Sequence, residues 1–165
     1  MPQTTTLDTT QRSDNGAGPP ERLTTQTRAS LVSGTAVRIT ARDHAFTIDE
    51  PHDLGGTDSG ANPIEHLLAA LGACQVITYQ VWAEKLGITL DSIDLDLTGE
   101  IDLRGFLGTA EDVRPGFDGI TVHATLTGPE STERYQELID TVEQHCPVLD
   151  NLQNTVPVRA EVSIG

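Results

Sequence analysis

The sequence predicts an α+β domain built from several short strands and two longer helices. Three observations carry this expectation. Runs that alternate apolar and polar residues appear in both halves of the chain. Two longer segments show helical spacing with recognisable end signals. The order is strand–strand–strand–helix–strand–strand–helix–strand, which groups strands with strands instead of interleaving each with a helix.

Each element has its own justification. Residues 1–22 are polar, Thr-rich and close on "GAGPPE", so a disordered tail is expected there and a folded domain over 23–165. Three strand-like runs follow, "TTQTRASLVS", "TAVRITAR" and "AFTID", separated by "SG" and "RDH". In the second, Val37, Ile39 and Ala41 alternate with Arg38, Thr40 and Arg42, which puts both arginines on one polar face. A Gly- and Asp-rich loop, "EPHDLGGTDSGA", leads to the first helix. Asn62 suits its N-cap, Pro63 its first turn, and Glu65 falls three residues after the cap, as in a capping box. Gly87 marks the stop. From Leu67 to Ile77 this helix is apolar almost all round, which predicts burial on every side.

Two longer strands come next, "ITLDSIDLDLTGEIDL" and "GITVHATLTG", with "RGFLGTAEDVRPGFD" between them as a loop. The second helix runs from about Glu130 to His145. Its stripe of Tyr135, Leu138, Ile139 and Val142 continues onto Cys146, and Pro147 ends it. "VLDNLQN" then precedes a final strand, "VPVRAEVSI".

The totals narrow the function. The 165 residues carry 25 acidic and 10 basic side chains, a net charge of −15. Such a surface repels nucleic acid and anionic membranes, and neither is an expected partner. No apolar run reaches the roughly 18 residues of a membrane span. The first residues lack the charged and apolar regions of a signal peptide, so a cytoplasmic location is expected. Only Lys85 is a lysine, against nine arginines. An Arg-favouring, GC-rich genome and adaptation to high salt both account for that balance.

Cys74 and Cys146 are the only cysteines, 72 positions apart. Two thiols in a chain of this kind are no disulfide framework. They are either buried packing residues or a redox pair. His44, His66 and His145 do not fall into metal-ligand spacing, so no metal site is expected. The glycine-rich loop lacks a following Lys-Ser/Thr and is not a phosphate loop. Tyr79 and Trp82 read as packing on the first helix, and His145 as a flank of Cys146.

The run "DEPHDLGGTDSGANPIEHLLAALGAC", with "HCPVLDNL" after it, resembles the OsmC/Ohr family, and the likeness covers roughly residue 28 to the C-terminus. The resemblance implies an OsmC-like fold: an intertwined homodimer with sheets wrapped around two central helices. It also implies reduction of organic hydroperoxides by a cysteine pair, Cys74 as the attacking thiol and Cys146 as the resolving one. An arginine from the early strands and a glutamate at the start of the central helix would assist. No cofactor is implied, because an external dithiol would return the electrons.

Electrostatics agrees with that division of roles. An attacking cysteine must be largely thiolate. Cys146, at the end of the second helix, is expected to meet the negative end of a dipole. Cys74, mid-helix, gains nothing from a dipole and so needs a cation. Arg42 is the first candidate and Arg38 the second. The glutamate departs from the family pattern, in which the acid directly follows the proline. Here Ile64 takes that place and the acid is Glu65. Nine positions separate Glu65 from Cys74, about 180° around the helix, so a cap competes with a catalytic role. Three readings therefore stand: a thiol peroxidase preferring apolar hydroperoxides, a redox-sensing or ligand-binding dimer with little turnover, or a purely structural dimer with inert thiols.

Overall fold

A computed structural model describes residues 21–165. The expected tail over 1–22 therefore lies almost wholly outside the described residues. The expected element order holds up to the second long helix. Strands β1 (Arg28–Ser33), β2 (Ala36–Ala41) and β3 (His44–Ile48) form one antiparallel sheet in that order. Helix α1 spans Pro63–Leu86. Strands β4 (Ser92–Ile101) and β5 (Phe117–Thr127) form a separate antiparallel ribbon, and α3 (Thr132–His145) follows. Between β4 and β5 the expected loop contains one helical turn, α2 (Leu103–Phe106), capped by Asp102.

The core lies where α1, α3 and the β4–β5 ribbon meet. Alternation along β4 turns Ile93, Leu95 and Leu97 to one face, opposite Leu126, Ala124 and Val122 of β5. The helices supply Tyr79, Ala83, Leu138 and Val142, and Ile88 joins them from the turn after α1. Gly72 brings α1 close to β4, since a Cβ there would stand 2.9 Å from Leu97 Cδ1. The far ends are tied by hydrogen bonds. Arg134 donates to the Leu86 carbonyl at 2.8 Å, satisfying one of the free carbonyls that end α1. The Tyr135 hydroxyl donates to Thr89 O at 2.9 Å.

Three expectations need correction. The segment "VLDNLQN" is helical: α4 spans Pro147–Gln153, so a fresh helix starts where Pro147 was expected to end one. Proline at a first helical position needs no N–H, which makes it a start as readily as a stop. The final strand "VPVRAEVSI" does not form, and residues 155–165 carry no regular structure. A strand needs a neighbouring edge for its backbone groups, and none pairs with it among the described residues. Third, α1 is not covered on every side by its own chain: Ile77 is 63% exposed, with Leu67 and Val81 also exposed. No helix among the described residues is long and apolar enough to cross a membrane.

The first sheet has almost no core of its own. Every residue of β1 is exposed, and the sheet makes no substantial packing contact with the helices. One bridge is Phe46 of β3, which stacks on His66 of α1 with ring centroids 5.2 Å apart. The other is the crossover loop, wound around a single buried carboxylate. Asp49, 1% exposed, accepts from Thr35 Oγ1 (2.6 Å), Thr57 N (2.9 Å) and Oγ1 (2.6 Å), and Ser59 N (3.2 Å) and Oγ (3.0 Å), besides Glu50 N. Gly56 and Gly60 pass so close to the Glu50 and Thr47 carbonyls that neither has room for a Cβ.

These bonds, led by those from the Thr35 and Thr57 hydroxyls, hold the Asp49 pKa far below the ordinary carboxylate range. A depressed folded pKa stabilises the protein above the unfolded value of about 3.9, and that stability is lost as pH falls below it. Acid titration followed by circular dichroism should show stability falling below about pH 4. Asp49→Asn should remove this share of the slope while lowering stability at neutral pH. An unchanged slope in a folded variant would exclude Asp49 as its source.

Candidate active site

Helix α1 carries the first thiol because its ends are locally specified. The Asn62 side chain accepts from Glu65 N at 2.9 Å and Glu65 Oε2 accepts from Asn62 N at 2.7 Å, a complete capping box. Gly87 closes the other end in the left-handed region at φ 63°. Cys74 sits near the middle, half-buried, beside the core-facing positions Leu71, Gln75 and Thr78. Thr78 Oγ1 donates to the Cys74 carbonyl at 2.7 Å, which leaves the thiol free of that hydroxyl.

Cys146 stands at the joint between two helices. Its N–H donates to Val142 O as α3 ends, and its carbonyl accepts from Asp150 N as α4 begins. It is 1% exposed. The structure brings it close to Cys74, whose nearness helps to raise the Cys146 pKa. Burial is the largest influence and pushes the Cys146 thiol up. The N–H groups of Leu149 and Val148 pull the other way without closing a cap hydrogen bond. The expectation that Cys146 meets only a helix C-terminus is therefore corrected. It ends one helix and begins another, and burial is the largest influence raising its pKa.

The other candidates fall elsewhere. Arg42 is not on a strand face with Arg38. It occupies the turn between β2 and β3 with φ 54°, exposed, and borders a surface depression with Thr25, Thr27, Arg28 and Thr40. Neither cysteine lines that depression. Arg38 stays on β2, exposed, opposite Ser30 and Thr47. The Glu65 carboxylate is engaged at the helix start. Removing it should cost about 1 kcal/mol of stability. Glu65→Gln should leave Cys74 alkylation unchanged, because an amide oxygen can still accept from Asn62 N. A tenfold slower alkylation in the folded Gln variant would instead give the carboxylate a chemical role.

The aromatic side chains pack, as expected. Tyr79 is in the core. Trp82 lies under Lys85 Nζ at 4.3 Å and against His145 at 4.2 Å between ring centroids. His145 Nδ1 bonds the Thr141 carbonyl at 2.7 Å. Two features went unread in the sequence. Asp49 is one acid among several in a polar stretch, and only the hydroxyls of Thr35, Thr57 and Ser59 around it hinted at an acceptor. Gln75, next to Cys74 and buried, has the one buried side-chain oxygen among the described residues without a partner. Nothing in a lone glutamine of an apolar helix signals that.

Comparison with known proteins identifies the family and the fold. Residues 56–161 match the family model described as OsmC-like protein. The chain is 27% identical over 111 residues to the hydroperoxide reductase of Mycoplasma pneumoniae, covering 66% of this chain and 73% of that one. It is 28% identical over 106 residues to the hydroperoxide reductase of Mycoplasma genitalium, covering 64% and 71%. Its structure is similar to that of an OsmC-like protein from Mycoplasma pneumoniae, with a TM-score of 0.71 at 25% identity over 81% of this chain and 89% of the other. An organic hydroperoxide resistance protein from Elizabethkingia anophelis shares the fold at a TM-score of 0.59 and 24% identity, over 79% and 88%. With the family model spanning well over half its length, this chain belongs to the OsmC-like family.

Proposed function

We propose that the protein is a thiol-dependent peroxidase that reduces organic hydroperoxides. The Cys74 thiolate attacks the peroxide, the O–O bond breaks, and an alcohol leaves as Cys74 becomes a sulfenic acid. The Cys146 thiol condenses with it, forming the disulfide and releasing water. An external dithiol then reduces the disulfide and is itself oxidised to one. No metal or cofactor enters the cycle. The observation that carries this reading is the meeting of Cys74 and Cys146, distant in sequence, with one half-buried and the other sealed. Relatives named hydroperoxide reductase support it. Peroxide should consume both free thiols, and a dithiol should restore them over many cycles. Thiols that survive excess organic hydroperoxide would overturn the reading.

A second reading is a redox-sensing or ligand-binding dimer with little turnover. What favours it is the capture of Glu65 in the cap and the placement of Arg42 at a depression that neither cysteine lines. A single oxidation without repeated cycling would select it.

Under either reading the working form is a homodimer. The exposed face of α1, the coreless first sheet and the unpaired 155–165 segment, whose exposed Val156, Val158, Val162 and Ile164 all fall on one alternating set with Ala160 between them, all lack a covering. A second copy supplies it, and in the assembled pair Arg42, or next Arg38, would give Cys74 its cation. Light scattering at micromolar concentration should find a dimer, and a folded monomer would sink this assignment.

A further inference from the structure

We propose that Asp49 is a positioning residue that sets the reactivity of Cys74 through Arg42. The inference rests on the proposed role of Arg42 at the thiol. Among the described residues, the first sheet is tied to the rest of its chain by the Phe46–His66 stack and by the crossover loop. The loop is rigid because of Asp49. One carboxylate oxygen holds Thr35, in the turn between β1 and β2, and the other holds Thr57 and Ser59, only a few residues before α1 starts at Pro63. The clasp therefore joins the end of the sheet to the start of the catalytic helix.

Its place in the fold makes it a pivot. Asp49 follows β3, and Arg42 precedes it at the opposite end of the hairpin. At about 3.3 Å per residue the strand puts roughly 20 Å between them. A tilt of about 10° at the pivot would carry the tip through about 3.5 Å. An ion contact of about 4 Å would then nearly double in length, and Coulomb attraction falls with distance. A neutral residue cannot replace the carboxylate. Every donor around it is an N–H or O–H, so an amide turned either way sets its nitrogen against backbone N–H groups, Thr57 N and Ser59 N on one side or Glu50 N on the other.

The test is a double-mutant cycle on the full chain in a Cys146→Ser background, where alkylation at neutral pH reports Cys74 alone. Arg42→Ala should slow alkylation about tenfold, the thiolate lost for one pKa unit. Asp49→Asn should slow it by a comparable factor, with Trp82 fluorescence and helix content kept. Asp49→Asn with Arg42→Ala should be no slower than Arg42→Ala alone, because both act through one interaction. Thr35→Val, which removes a single donor, should slow it about threefold, and decides the matter if Asp49→Asn does not fold. Multiplying effects, or a wild-type rate in a folded clasp variant, would overturn the inference while leaving Arg42 in place. A wild-type rate in Arg42→Ala would remove the proposed role of Arg42, and the inference with it.

Discussion

Cys74→Ser should abolish peroxide consumption, down to the uncatalysed rate. Cys146→Ser should still react once per chain, leaving a sulfenic acid on Cys74 that a specific trapping reagent labels. Without a resolving thiol that intermediate should over-oxidise as peroxide is raised, since the next step on the ladder is irreversible. The wild type should instead form an intrachain disulfide, seen as a mobility shift that a dithiol reverses. The asymmetry follows from burial. Peroxide can reach a half-buried thiol, whereas Cys146 is sealed and its pKa is pushed up, so little thiolate is present there to attack. Label on Cys146, or unchanged consumption in both variants, would mean that α1 merely packs its cysteine.

Leu138→Ala should be the most destabilising simple truncation in the helical core. Leu138 is fully buried on α3, where it fills the space between Tyr79 and Ala83 of α1 and Val142 of its own helix. Removing it loses the transfer energy of the deleted carbons and leaves a cavity, about 2–5 kcal/mol together. Against a total stability of about 5–15 kcal/mol, that should produce a large drop in the urea midpoint at a fixed protein concentration. The same helix ends at Cys146, so a loosened α3 should also slow disulfide formation after oxidation. A loss below about 1 kcal/mol would show that the site collapses around the gap, and that the core rests mainly on the dimer.

What the sequence by itself determined is what local interactions decide. Asn62, Pro63, Glu65 and Gly87 set both ends of α1 within one turn of chain each, so the capping box could be read directly and was found. The alternation of Ile93, Leu95 and Leu97 was enough to assign β4 and its inward face. Other features needed the whole fold. Arg42 reads as a strand residue because a two-residue turn with positive φ usually carries Asn or Gly, and "RD" offers neither. A second helix after Pro147, and with it the environment of Cys146, was invisible because proline both starts and stops helices. The alternating C-terminal segment looks like a strand but has no edge to pair with in a single chain. Nothing local distinguishes Asp49 from Asp43 or Asp53 either. Its burial comes from donors 14 residues before it and 8 and 10 after it. The pairing of Cys74 with Cys146 belongs here too: family resemblance suggested it, but the contact exists because α1 and α3 share one core. Capping and alternation act over a few residues of backbone, whereas charge burial and thiol pairing depend on which distant segments the packed core brings together.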